Sequence, residues 1–156
     1  MRLLQRPLND FMTKNNFIFT PGTWLGEGKI SFAISPDFLK FYTKWQITAL
    51  DDGVVVATQI VEMQGVDERV VNAFMFKDIS PTSFNVVLEN NLVGSVEGKG
   101  VKDEHTIAWE FHNQSNFEGF ESYEQQENGD YFLHAEYGTP DQYRTTVEGL
   151  IWYKGP

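Results

Sequence analysis

Residues 39–53 read LKFYTKWQITALDDG. Leu39, Phe41, Trp45, Ile47 and Ala49 alternate there with Lys40, Tyr42, Lys44, Gln46 and Thr48. A period of two sends the two sets to opposite faces of an extended chain, so this segment is a strand with one face toward a core and the other toward water. Asp52-Gly53 then supplies residues that tolerate the positive φ of a tight hairpin.

The same grammar extends in both directions. Upstream, residues 23–34 place Trp24, Ile30, Phe32 and Ile34 on one face, with Gly26 and Gly28 between them, before the turn Ser35-Pro36-Asp37. Downstream, strands are expected over 54–63, 69–76, 84–89, 92–101, 106–112, 117–125, 131–137 and 143–153, separated by turn signals such as Asn90-Asn91 and Asn128-Gly129. About ten short strands at regular spacing mark a β-sandwich or a β-barrel. Hairpin-length connections favour an up-and-down barrel over the longer crossings of a sandwich. Glycines within the strands, at Gly26, Gly28, Gly94, Gly98 and Gly149, permit the bending that closure needs.

Two segments break the rhythm. In 117–127, Glu118, Glu121, Glu124 and Glu127 recur every third residue, as do Phe117, Phe120 and Tyr123, which a helix would also align. Gly119 and the following Asn-Gly favour a strand. At the N-terminus, Leu3, Leu4, Leu8, Phe11 and Met12 fall at helical spacings, with Pro7 at a first turn and Asn15-Asn16 to end it. A short helix over 3–15 that caps one end of the barrel is therefore expected. The division is an N-terminal segment over 1–21 and a barrel over 22–156.

Composition narrows the chemistry. A chain of 156 residues suits one core. A net charge of -10 argues against a nucleic-acid partner. The absence of cysteine excludes disulfides, thiolate nucleophiles and Cys-ligated metals. No apolar run has the length of a secretory core or a membrane span, so a cytoplasmic protein with no membrane insertion is expected. No Gly-x-Ser-x-Gly elbow is present, and GSVEGKG at 94–100 lacks the order of a phosphate loop. His105, His112 and His134 lack metal-ligand spacing. No metal, cofactor or catalytic residue is assigned.

Gly22-Thr23-Trp24, opening the first strand, resembles the Gly-x-Trp signature of the calycin superfamily, which holds lipocalins and fatty-acid-binding proteins. The resemblance implies a single all-β, antiparallel, lipocalin-like barrel whose Trp closes one end against a basic side chain of a late strand. Lys154 or Arg144 would be that cation here. The run GTWLGEG at 22–28 is more remotely similar to the start of nitrobindin-type haem barrels, but their C-terminal His has no counterpart in 143–154. The pattern most resembles small bacterial lipocalin-like domains.

Such a barrel makes Trp24, Phe32, Phe41, Trp45, Phe74, Phe76, Trp109, Phe111 and Tyr137 candidate inward residues, with Gln59, Asn72, Arg144 and Glu148 as candidate inner polar groups. The leading expectation is a non-enzymatic binder of a small, largely apolar ligand, held by Trp24, Phe41, Trp45, Phe74, Trp109, Tyr137 and Arg144. One alternative is an isomerase or lyase using the same interior, which requires a buried carboxylate or histidine of perturbed pKa beside a Tyr or Arg. The other is an interaction domain with a filled core.

Overall fold

The computed structural model describes residues 16–114, 117–138 and 144–156. Ten strands follow one another in chain order: β1 (Gly22–Phe32), β2 (Phe38–Ala49), β3 (Val55–Met63), β4 (Val70–Lys77), β5 (Ser83–Asn90), β6 (Gly94–Lys102), β7 (Thr106–Gln114), β8 (Phe117–Gln125), β9 (Tyr131–Gly138) and β10 (Arg144–Gly155). Each pairs antiparallel with its sequence neighbours, and β1 pairs with β10 to close the sheet into a barrel. Closure leaves no free edge, which satisfies the backbone and blocks strand-to-strand association. The 117–125 segment is a strand, with Glu121 inward and Glu118 and Glu124 exposed.

The expected N-terminal helix is corrected. The described residues contain no helix, and the whole of the 3–15 segment where one was expected lies outside them. Residues 16–20 instead make an irregular turn that carries Phe17 and Ile18, both fully buried, into one end of the barrel. Ile18 has φ +75°, a left-handed conformation that a β-branched residue rarely adopts and that no α-helix contains. Burial and the hydrogen bonds described below hold it there.

The closing seam between β1 and β10 depends on glycine. Gly28 pairs with Gly149. A Cβ on Gly28 would lie 2.0 Å from the Glu148 carbonyl oxygen, so the two backbones approach as no other residue allows.

Burial along β1 defines the barrel's two ends. Of its inward side chains, Trp24 is 0 %, Ile30 7 % and Phe32 37 % exposed. The end near Trp24, Ile47, Phe76 and Tyr131 is shut, and we call it the lower end. Toward the upper end, inward Val61, Met63, Tyr137 and Val147 are only half-buried.

Candidate functional site

Phe17 plugs the lower end. Its ring lies 4.6–5.8 Å from those of Trp24, Trp45, Tyr123 and Tyr131. Polar atoms here find partners. The Tyr131 hydroxyl accepts from the Phe17 N–H at 3.1 Å and donates to Asn16 Oδ1 at 2.8 Å. The Tyr153 hydroxyl donates to the Pro21 carbonyl at 3.1 Å, and the Trp24 indole N–H donates, more weakly, to the Thr20 carbonyl at 3.5 Å.

The expected cation on Trp24 is a further correction. Its ring partners are Phe17, Tyr131 and Tyr153. Strand alternation explains this: Val147, Ile151 and Tyr153 take the inner positions of β10, so Lys154 and Arg144 point outward. Arg144 is exposed and donates to Glu136 Oε1 at 3.2 Å on the outer face. Glu148 is also outward, 3.5 Å from His134 Nδ1.

Above the plug, Trp45, Phe74, Phe76, Phe84, Trp109 and Tyr123 form one aromatic cluster, with Trp109 stacked on Tyr123 at 5.2 Å. Of the seven candidate ligand-contacting residues, Trp24, Phe41, Trp45, Phe74 and Trp109 are buried inside and Tyr137 is inward and half-buried. Arg144 is the one the structure does not bring to them. Unlike the Trp24 indole, the buried indole nitrogens of Trp45 and Trp109 have no hydrogen-bond partner among the described residues.

Against this cluster sits a residue that sequence reading did not single out. Glu121, on β8, is 4 % exposed. Its Oε1 accepts from the Tyr123 hydroxyl at 2.5 Å, and the Tyr137 hydroxyl is near enough to favour the charged carboxylate. The Trp109 indole N–H is near enough to favour the charged carboxylate, yet it falls outside hydrogen-bond geometry, and we count it unpaired. No lysine, arginine or histidine among the described residues pairs with Glu121. Burial therefore raises its pKa, and the three donors only partly oppose the rise. The same burial, together with the Glu121 charge, pushes the Tyr123 and Tyr137 hydroxyls well above the usual phenol range. Both phenols are thus hydrogen-bond donors at neutral pH. One signal could have found Glu121: counted from Tyr123, the period of two puts it on the inner face.

Across the interior runs a chain of amides. Gln59 Nε2 donates to Thr43 Oγ1 at 3.1 Å, Asn72 Nδ2 to Gln59 Oε1 at 2.9 Å, and Asn90 Nδ2 to Asn72 Oδ1 at 2.9 Å. Asn90 Oδ1 in turn accepts the N–H groups of Leu92 and Val93, tying the chain to the β5–β6 turn. Four neighbouring strands, β2 to β5, each place one polar side chain on the inner wall. Gln59 and Asn72 are thus inside, as two of the four candidate inner polar residues.

The histidines lie elsewhere. His105 is in the β6–β7 turn, and His112 and His134 are on the outer face beside Glu110 at 3.0 Å and Glu136 at 3.1 Å. Among the described residues no group of three or more His, Cys, Asp or Glu is placed to hold a metal ion. No helix among them is long and apolar enough to cross a membrane.

A closed, ten-stranded, up-and-down antiparallel barrel with an aromatic interior has a calycin-like fold. No family model and no curated protein matches the sequence. Among solved structures, an S-type phycobiliprotein lyase from Guillardia theta matches with a TM-score of 0.67 at 7 % identity, over 96 % of this chain and 93 % of that one. At that identity the likeness is one of fold.

Proposed function

We propose that the barrel binds a small ligand with an apolar, aromatic or conjugated body, entered from the upper end, and that Glu121 engages a hydrogen-bond donor or cationic nitrogen on it. The observation that carries this reading is the Glu121 carboxyl, buried without a cationic partner among aromatic faces. A buried carboxylate costs several kcal/mol unless paired (order of magnitude). A ligand nitrogen bearing protons supplies the missing partner, and the negative faces of Trp45, Trp109 and Tyr123 add a cation–π contribution. Apolar surface buried against Phe41, Phe74 and Tyr137 supplies much of the affinity. Fatty acids are disfavoured by carboxylate against carboxylate.

Tryptophan fluorescence tests this, since Trp45 and Trp109 border the site. An aromatic amine should quench at neutral pH while a fatty acid of similar size does not. Glu121→Gln should weaken the amine at least ~10-fold. Equal binding of both ligands, or an unchanged affinity in the variant, overturns the reading.

A second reading is favoured by the same group. A carboxyl of raised pKa between two phenols is suited to acid–base work at neutral pH, as an isomerase or lyase would need. The lyase activity named for the structural neighbour is in keeping with it. This reading predicts that a ligand recovered after incubation is chemically changed by the protein and left unchanged by the Glu121→Gln variant.

A further inference from the structure

The outer surface over β2, β1, β10 and β9 carries large apolar side chains where a strand's outer face is ordinarily polar. Tyr42 is 56 %, Phe38 50 %, Leu150 46 % and Phe132 39 % exposed. Pairing register aligns three of them in one row, Tyr42–Glu27–Leu150–Phe132, each residue beside the next on the neighbouring strand. The row above reads Lys40–Lys29–Glu148–His134, and the row above that runs from Phe38 to Glu136 and Phe120. An open groove of about 590 Å³ runs between the Phe38/Tyr42 wall and the Leu150/Phe132 wall, with the small Gly28–Gly149 pair at its floor.

Charge divides this face in two. Around the groove, Lys29, Lys40 and Lys44 outnumber Glu27 on β1 and β2, whereas Glu148 and Glu136 outnumber Arg144 on β10 and β9. Lys29 rests over the Phe38 ring at 5.2 Å, on the basic side of the groove. A surface with a basic excess on one half, an acidic excess on the other and apolar side chains in the rows on either side of the charged row is complementary to itself when turned by half a revolution.

We infer that this face docks a second copy of the chain. A two-fold axis along the strands, between β1 and β10, lays β2 and β1 of one copy on β9 and β10 of the other. Tyr42 then meets Phe132 of the second copy, Lys29 meets its Glu148, and Glu27, two residues from Lys29 on the same face, meets its Leu150, each twice by symmetry. Neighbouring strands are ~4.8 Å apart and residues rise ~3.4 Å each, so the patch spans roughly 20 Å by 20 Å. That is the scale of the centre of a small dimer interface, in which the Lys29 and Glu148 pairs flank the axis between the two rows that carry Tyr42, Leu150, Phe132 and Phe38. The inference stands apart from the interior site, because none of these side chains faces the lumen.

Sedimentation equilibrium of the full chain tests it. A dimer mass is expected at roughly 100 µM protein. Leu150→Lys, at an exposed position, should give a monomer with an unchanged circular-dichroism melt. Tyr42→Lys should do the same. Lys29→Glu and Glu148→Lys should each weaken self-association at least ~10-fold by setting like charges opposite one another. Mixing those two variants restores both pairs across the interface, so a heterodimer should form at concentrations where each alone is monomeric. A monomeric wild type, a dimer indifferent to Leu150→Lys, or a mixture no more associated than its components each overturns the inference.

Discussion

At the lower end of the barrel Phe17, Trp24, Tyr131 and Tyr153 interlock, and their polar atoms hydrogen-bond to the backbone or side chains of residues 16–21. At the upper end inward Val61, Met63, Tyr137 and Val147 stay half-buried, and the wall carries Thr43, Gln59, Asn72 and Asn90. Between the two lie the unpaired indoles of Trp45 and Trp109 and the Glu121 carboxyl. The same strands build both ends, yet one is arranged for stability and the other holds polar groups that packing alone does not require. A core made only to be stable would fill the Glu121 position with an apolar side chain. Under the binding reading proposed above, the contrast puts the ligand in the upper half and fold stability in the lower.

Removing the plug should have the largest effect. Phe17→Ala is expected to cost about 3–5 kcal/mol in urea unfolding, because the cavity it leaves is walled by rings that cannot collapse. Met63→Ala at the half-buried upper end should cost less than about 2 kcal/mol, and equal losses would break the contrast. Next comes the seam. Gly28→Ala drives a Cβ into the Glu148 backbone, and a loss of about 3 kcal/mol is expected by thermal melting.

Glu121→Gln should act in the opposite direction. The folded carboxyl has a pKa raised above 4.5, so the folded state keeps its proton longer than the unfolded chain does. Below the ordinary carboxylate range both states are protonated and the group costs nothing through ionisation. As pH rises above 4.5 the unfolded chain releases its proton first, and stability falls until the folded carboxyl also ionises. Glu121→Gln should therefore stabilise by roughly 1 kcal/mol at pH 7, with the gain vanishing as the pH is lowered below that range. A gain independent of pH would show that ionisation of Glu121 is not the cause. The smallest effect belongs outside the barrel. His134→Gln removes an outer-face pair with Glu136 and should change stability by less than about 0.5 kcal/mol.

All ten strands were legible because each buries one face, and a period of two survives in the sequence wherever that happens. The inward aromatics followed from the same parity. The N-terminal helix did not materialise among the described residues. Helical spacing reports only that one face is apolar, whereas the chain entering the barrel at 16–20 is shaped by the hole it fills and by the bonds to Tyr131 and Tyr153. Arg144 faces outward rather than to the interior, and Thr145, Thr146 and Gly149 blur the alternation of β10 that would have marked its face. Glu121 was hidden by abundance: among 22 acidic residues only its parity with Tyr123 marks it as inward.

By itself the sequence determined the class of fold, the strand order and the buried face of most strands, because these rest on short-range alternation and turn chemistry. Only the tertiary structure decided that β1 meets β10 across two glycines, that Phe17 closes one end, and that Tyr123 and Tyr137 converge on Glu121. Those contacts join residues of different strands, and their geometry is set by closure of the whole sheet. The desolvation that perturbs Glu121 likewise exists only once ten strands have shut out the water.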